Sequence, residues 1–92
     1  MAENDIDLNK LPPVSVVIPA WNMEKTLEKT LGAVFAMDYP EFEVIVVDDG
    51  SVDRTVEIAK RFSVRLVRHS RNLGPSCARN AGVREARFDV IF

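Results

Sequence analysis

The chain has 92 residues, 47% hydrophobic and 28% charged, which is a globular composition with room for one small domain. A formal net charge of -2 gives no electrostatic case for a nucleic acid or an anionic membrane as partner. The single cysteine, Cys77, excludes an internal disulfide, and no apolar run approaches the length of a membrane span.

Residues 1–13 are polar, end in Pro12-Pro13, and read as a tail leading into a folded part over 14–92. Val14-Ser15-Val16-Val17-Ile18 reads as a buried strand stopped by Pro19. Asn22 is placed to cap a helix whose inward stripe is Leu27, Leu31, Val34 and Phe35. Asp38-Tyr39-Pro40 breaks that helix. The run Phe42 to Val47 follows, with four β-branched residues in a row, as in a strand buried on both faces. Ser51 or Asp53 can cap a second helix carrying Val56, Ile58, Ala59 and Phe62. Val64 to Val67 alternates, which suits a strand nearer the sheet edge. Gly74-Pro75-Ser76 opens a third helix whose inner face, Ala78, Ala81, Gly82 and Ala86, is small enough to lie close to the sheet. A fourth strand starts at Asp89. Strand and helix alternating in this way predict an α/β fold with a parallel, doubly wound sheet and right-handed crossovers.

In such sheets ligands bind outside the carboxyl ends of the strands. Asp48 and Asp49, followed at once by Gly50 and Ser51, stand at one such end. Two adjacent like charges need solvent, a hydrogen-bonding partner or a cation, although Asp and Gly are also ordinary turn residues. Both readings stay open on these residues alone. Pro19-Ala20-Trp21-Asn22 occupies another strand-to-helix turn, where Trp21 offers either a stacking face for a base or a lid over the sheet edge. Glu24 suits the positive end of a helix. Arg79 near a helix start could meet a diphosphate or pair with a surface acid. His69 beside Arg68 and Arg71 reads as surface, and Cys77 as a small buried thiol. No Walker loop, GxGxxG fingerprint or nucleophilic triad is present.

Together VSVVIPAWN, VIVVDDGSVDRT and RNLGPSCARNAGV, in that order and spacing, resemble the start of a family 2 inverting glycosyltransferase with the GT-A fold. The resemblance runs from Val14 to Phe92. It implies a Rossmann-like three-layer α/β/α arrangement with a mostly parallel sheet, truncated and incomplete at the C-terminus, that forms the N-terminal nucleotide-binding portion of the domain. It implies a nucleotide-sugar donor, most often a UDP-sugar, bordered by Pro19, Ala20 and Trp21, where the family usually has tyrosine. Asp49 would accept from the base and Asp48 would shape the pocket. Glu24, Ser51, Arg79 and Asn80 complete the donor-binding set with less defined roles. No catalytic residue and no metal ligand are assigned within the chain. Mg2+ or Mn2+, a DxD motif and a catalytic base are expected in the full-length protein beyond Phe92. The acceptor, whether saccharide, lipid carrier or protein, is left open, and no nucleic acid is expected. The expected location is cytoplasmic, at a membrane face only through segments outside the chain. A non-catalytic remnant or nucleotide-binding module with the same fold is the alternative reading. A response-regulator receiver is disfavoured, because the third strand ends in Val67-Arg68-His69 without a phospho-accepting Asp.

Overall fold

Seven elements alternate strand and helix through residues 11–92, the part of the chain that the computed structural model describes. Most of the expected tail, residues 1–10, lies outside the described residues. The elements are β1 (Val14–Ala20), α1 (Leu27–Phe35), β2 (Phe42–Asp49), α2 (Thr55–Ala59), β3 (Arg65–His69), α3 (Pro75–Glu85) and β4 (Val90–Ile91). All strand pairs are parallel and the order across the sheet is β3-β2-β1-β4. The chain is therefore an α/β protein with the parallel sheet that its strand–helix alternation predicts, and β3 is an edge strand as its alternation suggested.

β2 is central, and its run from Val44 to Asp49 is buried throughout. Because side chains alternate along a strand, it feeds two cores. Val44 and Val46 pack with Leu27 and Leu31 of α1 and Ile58 and Ala59 of α2. Ile45 and Val47 pack with Ala78 and Ala81 of α3. Helices thus cover both faces, giving three layers. Each fully buried Val, Ile or Leu contributes about 1.5–3 kcal/mol of burial free energy. On the α3 side the layers come unusually close. A Cβ on Gly82 would stand 2.3 Å from Val17 Cγ1 and 3.1 Å from Val47 Cγ2, so the small inner face predicted for this helix is what lets it seat.

Four local expectations are corrected. Pro19 does not stop β1, which continues to Ala20 with Pro19 opposite Val47. The Val17 N–H donates to Phe92 on the β4 side, and two residues on the Pro19 nitrogen faces the same side, so its missing donor costs no bond to β2. Asn22 does not cap α1, which begins four residues after Met23 behind a turn; Asn22 adopts a left-handed φ of 49° instead. The inward stripe holds for Leu27 and Leu31, Val34 is half-buried, and Phe35 lies at the rim with its ring 6.0 Å from those of Phe42 and Phe62. Cys77 is exposed rather than buried, since Ala78 and Ala81 take the inner face of α3.

Candidate functional site

Three loops converge where β1, β2 and β3 end, and hydrogen bonds from the DGSxDxT segment lace two of them together. The Asn22 N–H donates to Ser51 Oγ at 2.9 Å and the Met23 N–H to Thr55 Oγ1 at 2.7 Å. The Glu24 N–H donates to Asp53 Oδ2 at 3.2 Å, and in return Asn22 Oδ1 accepts from the Val52 N–H at 3.0 Å. Three successive amides of the β1–α1 turn are therefore satisfied by the side chains of Ser51, Thr55 and Asp53 after β2. Asp53 also accepts from the Thr55 N–H at 2.9 Å and from its hydroxyl. The capping expected of Ser51 or Asp53 is corrected, because the N-cap of α2 is Arg54 without a side-chain cap bond and Asp53, one residue earlier, ties the first amide of the helix. Burial would raise the Asp53 pKa, but these Thr55 and Glu24 donors hold it below the ordinary value.

The two adjacent aspartates part company. Both are buried, at 1% and 3% exposure, yet strand alternation sends them to opposite faces. Asp48 Oδ1 accepts the Ser51 N–H at 3.2 Å and so closes the turn after β2. Asp49 turns to the α3 side. Its Oδ1 accepts from the Leu73 N–H and bonds His69 Nδ1, both at 2.9 Å, while Oδ2 accepts the Gly74 N–H at 2.9 Å. The His69 bond, foremost, together with the Leu73 and Gly74 N–H donors, holds the Asp49 carboxyl below its ordinary pKa against the opposing effect of burial. Gly50 makes this close approach feasible. It has φ 77°, and a Cβ there would stand 2.4 Å from the Arg71 carbonyl carbon. Gly74, at φ 99°, precedes Pro75 at the first position of α3.

An open pocket of about 160 Å³ lies between these loops, lined by Pro19, Ala20, Trp21, Asp49, Asn72, Pro75 and Ala78. It stands at the carboxyl ends of β1 and β2, where a doubly wound sheet meets its ligand. Trp21, 53% exposed, offers a large apolar surface at its edge, and Asp49 offers an anionic acceptor. Of the residues singled out in the sequence, Pro19, Ala20, Trp21 and Asp49 come together here. Asp48 and Ser51 sit behind the pocket as turn and loop ties, and Glu24 is exposed beyond the laced turn. Arg79 and Asn80 are exposed on α3, and Arg79 makes no ion pair among the described residues.

His69, Gly50 and the Leu73 amide were not read as parts of a site. His69 gave no local signal: it is the last residue of β3, and only the parallel register sets it directly opposite Asp49. Its side chain is 15% exposed, so the surface reading of this histidine is corrected. A divalent metal, which the resemblance implies, is not accommodated by the described residues. No group of three His, Cys, Asp or Glu side chains converges among them, and Asp49 already accepts three N–H donors. Among the described residues no helix is long and apolar enough to cross a membrane.

Residues 15–92 match the sequence profile described as Glycosyl transferase family 2. Over 88 residues the chain is 40% identical to glycosyltransferase AglE of Haloferax volcanii, covering 88% of this chain and 29% of that protein. The structure matches that of S. aureus TarS 1–349 in complex with UDP with a TM-score of 0.82 and 31% identity, over 87% of this chain and 26% of that one. The same TarS segment is also known in complex with UDP-GlcNAc. Mannosyltransferase PcManGT from Pyrobaculum calidifontis, in complex with GDP-Man and Mn2+, matches with a TM-score of 0.84 and 29% identity, over 92% of this chain and 27% of that one. The chain thus spans just over a quarter of the length of these proteins. The profile match over almost every described residue, and the shared parallel α/β architecture of the GT-A glycosyltransferases, make this chain a member of glycosyl transferase family 2.

Proposed function

We propose that the chain forms the donor-binding part of a glycosyltransferase that takes a nucleotide-diphospho-sugar, a UDP-sugar in the first instance, and passes the sugar with inversion to an acceptor hydroxyl. The observation that carries this reading is the pocket at the ends of β1 and β2, with Trp21 and Asp49 both on its lining. In this reading Pro19, Ala20 and Trp21 border the nucleoside and Asp49 accepts from a base N–H. A carboxylate suits that task because it is acceptor-only when ionised. Asp48, Ser51 and Glu24 shape the pocket through the turns they belong to. Arg79 and Asn80, on the exposed side of α3, face the diphosphate. UDP and UDP-GlcNAc in complexes of TarS support a uridine donor, whereas GDP-Man in the PcManGT complex keeps a guanosine donor in the test.

Inverting transfer also needs a base to deprotonate the acceptor and a cation to stabilise the leaving diphosphate. In this proposal both, including the ligands of Mg2+ or Mn2+, are supplied by residues other than the described ones. Calorimetric titration of the full-length protein with UDP, GDP, CDP and ADP tests the donor class. UDP is expected to bind most tightly. Preferential binding of GDP would move the donor assignment to a guanosine sugar, and binding of none would overturn the proposal.

A further inference from the structure

The carboxylate of Asp49 has about four lone-pair positions, and three are occupied: two on Oδ1 by His69 and Leu73, one on Oδ2 by Gly74. One acceptor position, on Oδ2, has no donor among the described residues, and Asp49 lines the pocket. We infer that His69 is a positioning residue for nucleotide binding, fixing Asp49 so that Oδ2 alone presents one acceptor position to the ligand and the 72–75 segment is held as the facing wall. This rests on the donor-binding role proposed for the pocket.

The chemistry of the pair defines the histidine. An ionised carboxylate cannot donate, so His69 Nδ1 carries the proton shared with Oδ1. The bond crosses directly between the last residues of β2 and β3, which are opposite each other in the parallel register. It therefore fixes the rotation of the carboxylate from the strand side, while Leu73 and Gly74 fix it from the loop side. Asn72 and Pro75, which flank those two amides, are the loop residues on the pocket lining. Without His69, Oδ1 loses one donor and the carboxylate is free to turn, so both the acceptor and the wall lose their setting.

Three variants of the full-length protein separate positioning from bulk packing. His69→Asn places an amide N–H near the position of Nδ1, His69→Gln places one near Nε2, and His69→Ala removes the donor. Two readouts are taken: UDP affinity by calorimetry, and hydrogen exchange of the Leu73 and Gly74 amides without ligand. His69→Ala and His69→Gln are expected to weaken UDP binding roughly tenfold, the weight of a hydrogen bond to a charged group, and to lower protection of both amides. His69→Asn is expected to recover most of both. Equal behaviour of the Asn and Gln variants in both readouts would overturn the inference, as would wild-type values in the Ala variant. If the wild-type protein binds no nucleotide, the donor-binding role fails by itself, and the pattern of amide protection across the three variants still decides whether His69 sets Asp49 and its loop.

Discussion

Each end of the sheet uses an acid of β2 to hold a loop, half-buried Glu43 at the amino end and buried Asp49 at the carboxyl end, but the two charges are met differently. At the amino end, Glu43 Oε2 accepts from Ser15 Oγ at 2.6 Å and from the Arg87 N–H at 2.7 Å, and Ser15 Oγ in turn accepts the Phe88 N–H. Arg65 and Arg87 stand 4.0 and 3.7 Å from that carboxylate. Burial would raise the Glu43 pKa, but the Ser15 and Arg87 hydrogen bonds and the two guanidinium charges bring it below its ordinary value. At the carboxyl end, Asp49 is held by two backbone amides and a histidine, with no arginine in salt-bridge range among the described residues. One carboxylate is ion-paired with two guanidinium groups; the other meets N–H donors from two backbone amides and a histidine beside an open pocket. The contrast marks the carboxyl end as the place where an anionic acceptor remains available to a ligand.

The largest test of that contrast is Gly50→Ala. The new methyl would meet the Arg71–Asn72 backbone at 2.4 to 2.6 Å in a left-handed conformation. Urea denaturation is expected to show a loss of about 3 kcal/mol, with nucleotide binding lost as the loop is displaced. Next, Asp49→Ala should weaken UDP binding roughly a hundredfold while Ser51→Ala weakens it less than about fivefold, because Ser51 only ties one turn. Equal affinities by calorimetry would remove Asp49 from the recognition role. At the other end, Ser15→Ala should cost about 1–2 kcal/mol by thermal denaturation and leave UDP affinity unchanged. A Ser15→Ala protein with impaired UDP binding would erase the division of labour between the two ends. The smallest effect concerns acid. Asp49, Glu43 and Asp53 all have folded pKa values below their ordinary ones, so as pH falls the unfolded chain takes up protons first. Their stabilisation is complete above the ordinary carboxylate range and is lost as pH drops through the folded values. Denaturation midpoints should hold from neutral pH down to that range and fall below it, and Asp49→Asn should flatten part of the slope.

Most of this architecture is legible in the sequence, because its signals are periodic. Four β-branched residues before Asp48 marked the central strand, and the small inner face of α3 announced close packing. The pocket was legible as far as its parts were adjacent in sequence: Pro19-Ala20-Trp21 on one side and Asp49 on the other. What escaped depended on contacts between distant residues or on backbone geometry. His69 gains its role only through the register of two parallel strands, which no local pattern encodes. Asn22 has the chemistry of a helix cap, but its side chain serves the Val52 amide instead, an alternative that propensity cannot distinguish. Asp48 and Asp49 look equivalent as a pair of letters, and only the alternation of the strand assigns one to a turn and the other to the pocket.

The four hydrogen bonds between residues 22–24 and 51–55 bear on the entropy of binding. Two loops that would each have to be ordered around a nucleotide are already ordered around each other. A ligand arriving beside Trp21 thus meets a rigid rim and gives up little affinity to freezing it. Variants of Ser51, Asp53 or Thr55 then act at a distance. They loosen the rim in the free protein, so their signature in calorimetry is a more unfavourable binding entropy rather than a lost contact enthalpy.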